Sequence, residues 1–276
     1  MSCTTSSRSM LFSTALSFAD VILFTPTAAF PVAGKGQTHS VYYSGEMGKQ
    51  SLMSKVLHSG AAGAFRLGSR LTVHGRENAP PTGPVIVAVN HTHNMDPALI
   101  GVIMPWQVRF LAKRELVTEG NALTRWLVRT WGLIPITRDR LDREALRTAR
   151  EHLSGGGAIG MFPEGTRSRD GRMGQARPGT GFLALTTGAP VLPVGIEGLA
   201  GLGHNPAFVV RRPRFTARIG KLLDLSELAE SKADDRFEQA TNVIMHAIAS
   251  LLPEHMRGYY EGSAQDIQHT EERAGR

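Results

Sequence analysis

Cysteine is almost missing from these 276 residues, Cys3 being the only one. No intrachain disulfide and no cysteine-based zinc site can form, and Cys3 lies in a Ser/Thr-rich stretch that suits a nucleophile poorly. Acidic residues are the scarcer charge: 24 Asp and Glu against 31 Lys and Arg give a net charge of +7. That balance favours an anionic partner, whether nucleic acid, an anionic membrane surface or a phosphorylated substrate. An uninterrupted apolar run of about 18 residues, the usual minimum for a spanning helix, is absent. The nearest approach, Met10 to Phe30, is broken by Asp20 and Pro26. There is no GxSxG elbow to carry a serine nucleophile and no internal repeat. What is present is ordinary globular usage, 41% hydrophobic and 20% charged, in a chain long enough for one large α/β domain or two small ones.

Residues 1–46 read as a disordered leader or a targeting segment, with Met47 or Met53 as alternative openings of the folded protein. Residues 47–70 read as short basic amphipathic helices: Leu52, Val56 and Phe65 alternate with Lys55, Arg66 and Arg70. Such a segment can lie on anionic lipid or pack on the core with a solvated basic face. A folded domain is expected over 71–260 and a polar tail over 261–276. Within the domain, Val85-Ile86-Val87-Ala88-Val89 is continuous, apolar and β-branched, as a fully buried parallel strand would be. Further strand-like runs stand at 71–74, 108–112, 158–162, 191–196 and 215–219, and helical patterns at 142–153, 179–187 and 234–252. Strands alternating with helices imply an α/β fold, a layered αβα domain with a mostly parallel central sheet, preceded by the short amphipathic helices.

Two loops that directly follow strands carry the chemistry-bearing residues. After Val85–Val89 comes Asn90-His91-Thr92-His93-Asn94-Met95-Asp96-Pro97. Strand ends are where ligand sites gather in such sheets. Pro97 suits the first helical position, which makes Asp96 the expected N-cap. A tight loop can also fold His91 back onto Asp96, whose carboxylate would fix the tautomer and leave the other ring nitrogen as a base. His91-x-His93 invites a metal reading, but the acid falls one position late, no further His follows and cysteine ligands are lacking. His93 is therefore read as shaping the loop, and no metal is expected. The second loop is Phe162-Pro163-Glu164-Gly165-Thr166-Arg167-Ser168-Arg169. Pro163 and Gly165 shape a tight turn, and Arg167 offers a planar fork suited to phosphate oxygens. Glu164 could accept a hydrogen bond from a substrate hydroxyl or tether the loop. Two weaker blocks are Gly132-Leu133-Ile134-Pro135-Ile136-Thr137-Arg138, an apolar run ending in arginine, and Val191-Leu192-Pro193-Val194-Gly195-Ile196-Glu197-Gly198, whose internal proline suggests an edge strand or a bulge. Gly155 to Gly160 fits GxGxxG but precedes a strand, so it reads as a loop.

In order and spacing these blocks, NHTHNMDP, GLIPITR, FPEGTRSR and VLPVGIEG, resemble those of the glycerolipid acyltransferase family typified by 1-acylglycerol-3-phosphate acyltransferases. The resemblance covers about 71–220, and Leu111-Ala112-Lys113-Arg114-Glu115-Leu116 looks like the family's lysine-containing segment. It implies direct acyl transfer from a thioester to a lipid hydroxyl, with His91 as base and Asp96 as its partner. Arg138, Arg167 and Lys113 would grip the acceptor phosphate, with Glu164 and Gly165 shaping the pocket. The donor would be acyl-CoA or acyl carrier protein, acting as co-substrate, so no cofactor is implied. The acceptor would be a lysophospholipid, 1-acylglycerol-3-phosphate first, with glycerol-3-phosphate, another lysophospholipid or a non-catalytic phospholipid-binding role as alternatives. A peripheral location on the cytoplasmic face of a membrane follows, reached through residues 49–71 or 121–131, where Trp126 and Trp131 stand among Arg125 and Arg129. No nucleic-acid partner is expected, because the arginines are dispersed and no recognition motif accompanies them.

Overall fold

The computed structural model describes residues 60, 63, 65, 67–113, 133–136, 143–202 and 212–262. All of them belong to one unit, Ser40–Arg276. The strands are β1 (Arg70–His74), β2 (Val85–Val89), β3 (Val108–Lys113), β4 (Ile134–Ile136), β5 (Ala158–Met161), β6 (Val191–Glu197) and β7 (Arg214–Ile219). The α-helices are α1 (Asp96–Ile103), α2 (Arg143–Ser154), α3 (Gly179–Thr187), α4 (Ser226–Glu230) and α5 (Arg236–Ser250). The strands form one sheet in the order β1-β7-β6-β2-β5-β3-β4. Only the β6–β7 pair is antiparallel.

β2 lies at the centre because its five apolar side chains cannot be left in water. All five are buried, Val85, Val87 and Val89 on one face and Ile86 and Ala88 on the other. Each valine or isoleucine so buried contributes about 1.5–3 kcal/mol. On the first face α1 supplies Leu99, Ile100 and Ile103, and Phe65, just ahead of β1, packs edge-on to Phe215. On the second face α2, α3 and α5 supply Ala149, Leu183, Ile244 and Ile248. The αβα layering follows. Among the described residues no helix is long and apolar enough to cross a membrane.

Two expectations change. Pro193 lies in a central strand, between β2 and β7, where an edge or bulge was expected. The main-chain oxygen of Pro193 accepts the Gly220 amide at 2.9 Å, so its N–H-less nitrogen faces β7 just beyond the Val194–Ile219 pair. The parallel ladder with β2 therefore loses no donor. The GLIPITR block holds a further strand, β4, at the sheet edge beside β3. Its three residues, with Pro135 in the middle, are too few to show alternation. Residues 1–59, 61, 62, 64, 66, 114–132, 137–142, 203–211 and 263–276 lie outside the described residues, and with them the leader, most of the 47–70 helical segment, the 121–131 segment, Arg138 and most of the 261–276 tail.

Candidate active site

The first functional loop is held at the carboxyl end of β2 by an asparagine that extends the sheet with its side chain. Asn90, 1% exposed, donates from Nδ2 to the Ile196 oxygen at 2.9 Å and accepts the Ile196 amide on Oδ1 at 2.8 Å. This pair ties the side-chain amide to the main chain of one β6 residue just beyond the last regular pair, Val89–Val194, and fixes where His91 begins.

Asp96 is fully buried and opens α1, yet it is not an N-cap. Met95 takes that place and makes no side-chain cap. The carboxylate turns backwards instead: Oδ2 accepts Thr92 N at 2.7 Å and His93 N at 2.8 Å, and lies 2.8 Å from His91 Nδ1. Oδ1 has no hydrogen-bond partner among the described residues. A bond from the ring to a carboxylate requires Nδ1–H, so neutral His91 carries its lone pair on Nε2. His93 shapes the loop, its Nδ1 accepting Met95 N at 3.2 Å and its carbonyl accepting Asp96 N at 3.1 Å.

The second loop packs against the first from β5. Phe162 stacks on the His91 ring at 3.9 Å and 17°, and Phe110 of β3 stacks on Phe162 at 5.2 Å and 19°. Gly160 makes this possible, because a Cβ there would stand 2.3 Å from the Phe110 ring. The ring of His91 is thus fixed by a carboxylate at one edge and by an aromatic face.

Glu164 settles between the alternatives left open for it. Its side chain is 4% exposed and joins two stretches of backbone: Oε1 accepts His91 N and Oε2 accepts Gly174 N, each at 2.9 Å. It tethers the loop, with each of its oxygens accepting one main-chain amide. Burial pushes its pKa up from 4.5 to about 7, against the opposing pull of the two amide donors. Gly165 completes the turn at φ 67, a left-handed conformation that favours glycine, and donates to the Phe162 oxygen at 3.0 Å. The chain then runs back over the first loop, Ser168 N donating to the His91 oxygen at 2.8 Å. Arg167, the preceding residue, is exposed on this crossing, as is Arg169.

Of the residues singled out from sequence, His91, Asp96, Glu164, Gly165 and Arg167 are therefore brought together. Lys113 ends β3, and its side chain lies outside what is described, as does Arg138. Phe162 and Asn90 went unassigned although both stood in the quoted blocks. The aromatic residue ending an apolar strand, beside a histidine loop, was the available signal. Among the described residues no group of three or more His, Cys, Asp or Glu could hold a metal. The arrangement can take a proton at one imidazole nitrogen, beside an arginine-bearing loop.

A family model described as Acyltransferase matches residues 70–197. A 1-acyl-sn-glycerol-3-phosphate acyltransferase of Borreliella burgdorferi is 32% identical over 197 residues, which cover 67% of this chain and 72% of that protein. The mouse 1-acyl-sn-glycerol-3-phosphate acyltransferase alpha is 34% identical over 137 residues, 47% of this chain. The match spans 46% of the mouse protein, so the chain covers about half the length of such curated relatives. The crystal structure of the 1-acyl-sn-glycerophosphate acyltransferase PlsC from Thermotoga maritima is similar with a TM-score of 0.56 and 26% identity, over 72% of this chain and 80% of that one.

Proposed function

The chain belongs to the Acyltransferase family, and we propose that it transfers a fatty acyl group from a thioester to the free hydroxyl of 1-acylglycerol-3-phosphate, giving phosphatidic acid. The observation that carries this reading is the His91–Asp96 pair: an imidazole whose Nδ1 is held 2.8 Å from a buried carboxylate, with the arginine-bearing loop folded across it.

A thioester is already activated, so the protein must deprotonate an alcohol and hold both substrates. His91 Nε2 takes the acceptor hydroxyl proton as that oxygen bonds to the thioester carbonyl carbon. Asp96 keeps the ring in the required tautomer and balances the charge of the imidazolium. When the tetrahedral intermediate collapses, the C–S bond breaks and the thiolate leaves with the proton returned by His91. Ester and free thiol result, with no acyl-enzyme. Arg167 supplies a fork for the acceptor phosphate, assisted by Arg138 and Lys113. The donor carrier is coenzyme A or acyl carrier protein, and the reaction takes place at a membrane surface, where the acceptor resides.

The test is an acceptor panel with one radiolabelled acyl-CoA, repeated with acyl carrier protein, and product read by lipid chromatography. Labelled phosphatidic acid from 1-acylglycerol-3-phosphate supports the reading. Label appearing only with glycerol-3-phosphate, or only with another lysophospholipid, replaces the acceptor. No transfer to any acceptor from either carrier contradicts the activity.

A further inference from the structure

The loop that holds His91 does not stand alone. From the FPEGTR turn the chain runs through an arm, residues 171–177, before entering α3, and this arm bonds to the turn twice. Gly174 N donates to Glu164 Oε2 and Arg177 N to the Pro163 oxygen, both at 2.9 Å. On its other side the arm is gripped by residues 253–261, which follow α5. Met173 N donates to the Met256 oxygen at 2.9 Å, Tyr259 N to the Met173 oxygen at 3.0 Å, and Ala176 N to the Tyr260 hydroxyl at 3.0 Å. Met173, Met256 and Tyr260 are buried in the same apolar cluster. The Tyr260 ring is set edge-on to His246 of α5 at 5.3 Å, and an ion pair between Arg172 and Glu261 at 2.8 Å closes the outer end.

We infer that residues 253–261 are a positioning strap for the base, with Tyr260 acting through the arm and Glu164 on the main chain of His91. The link is continuous: Tyr260 fixes Ala176, the arm presents the Gly174 amide, Glu164 receives it on one oxygen and the His91 amide on the other. The strap lies outside residues 70–197, the stretch matched by the family model, so the site draws on chain beyond the matched domain. The inference rests on His91 being the base. Its physical basis is that a base displaced by even about 1 Å loses on the order of a hundredfold in rate. No strap residue touches the reacting atoms, and Arg167 lies on the exposed part of its loop beyond the buried Glu164, so a loosened strap acts more on turnover, through the His91 main chain, than on acceptor binding.

The experiment compares Tyr260→Phe with Thr241→Val in the full chain, using 1-oleoylglycerol-3-phosphate and the acyl thioester that the unaltered protein turns over. Both substitutions remove a buried hydroxyl that accepts a backbone amide, but Thr241, whose hydroxyl also donates to the Phe237 oxygen of its own helix, serves Gly181 of α3 and has no bond to the arm. Tyr260→Phe is expected to lower kcat about tenfold with acceptor KM changed less than about twofold. Faster amide exchange at Gly174 and His91 should accompany it. Thr241→Val should cost comparable thermal stability with kcat within about twofold of the parent. Equal kcat losses in the two variants, or unchanged exchange at His91 in Tyr260→Phe, would overturn the inference. If Tyr260→Phe does not fold, Arg172→Ala opens only the exposed Arg172–Glu261 latch, and unchanged exchange at Gly174 there counts against the strap. His91→Ala separates the two claims. If it is inactive while Tyr260→Phe keeps the parent kcat, the strap fails and the base stands. If it is fully active, the base assignment fails, and the exchange data still decide whether the strap holds the loop.

Discussion

The two loops at the carboxyl end of the sheet are built in opposite ways. The loop after β2 is densely bonded: Asn90 pins its start, Asp96 Oδ2 gathers two amides and a ring nitrogen, and Glu164 of the other loop takes the His91 amide. The loop after β5 is buried as far as Glu164 and then opens, with Arg167 and Arg169 in solvent. A base needs one tautomer in one orientation, and the bond from its Nδ1 to a carboxylate that is itself held by two amides supplies that. A site for an anionic headgroup must stay open and keep its cations hydrated until the ligand arrives. On the proposed function, turnover depends chiefly on the first loop and acceptor affinity on the second, so changes in each should move different kinetic constants.

Asp96→Asn puts the sharpest strain on that separation. The amide oxygen can keep the three bonds that Oδ2 now accepts, so the variant removes charge and leaves geometry. Turnover should fall by about 10²–10⁴ while the chain stays folded by circular dichroism. A fall confined to KM would merge the two loops' roles.

Glu164→Gln comes next and reads the seam between the loops. The pKa of Glu164 is raised from 4.5 to about 7, so the folded chain favours its protonated form. The stability this contributes is complete below the unfolded value near 4.5 and is lost as pH rises through about 7. Urea unfolding at pH 5 and pH 8 should show the parent losing on the order of 3 kcal/mol from this group, an upper figure. The glutamine variant should lack that component. An unchanged pH slope would mean the carboxyl is already ionised at pH 5.

Arg167→Ala should weaken acceptor use by roughly 1.5–3 kcal/mol, read as a raised acceptor KM with kcat little changed. The smallest effect is expected far from both loops. Arg147 and Glu151 pair across one turn of α2 at 3.2 Å, both well exposed, so Arg147→Ala should cost about 0.3–0.5 kcal/mol of stability and no activity.

Much of this was legible in the sequence because it is written in local patterns. A short continuous apolar run rich in Val and Ile reads as an interior strand, and His91 and Asp96 sit in the loop and helix start that follow it. What escaped notice depends on partners distant in the chain. Asp96 reads locally as a cap, and only the backward fold of the loop shows it serving three groups at once. Pro193 reads as an edge residue until its missing donor is seen to face the end of the β7 ladder. Glu164 could have pointed to substrate or to backbone, and the choice turns on Gly174, ten residues on, and on His91, 73 residues back. Gly160 matched a nucleotide-loop spacing by accident, while its use is to seat Phe110 beneath Phe162. Tyr260 gave no local signal at all.

The most direct trial of the central claim is acyl transfer by purified His91→Ala, assayed beside the parent with the same thioester and 1-acylglycerol-3-phosphate. Activity should drop by about 10²–10⁴ with melting temperature and acceptor binding nearly unchanged. A folded variant that still acylates the acceptor at the parent rate would contradict the proposed base.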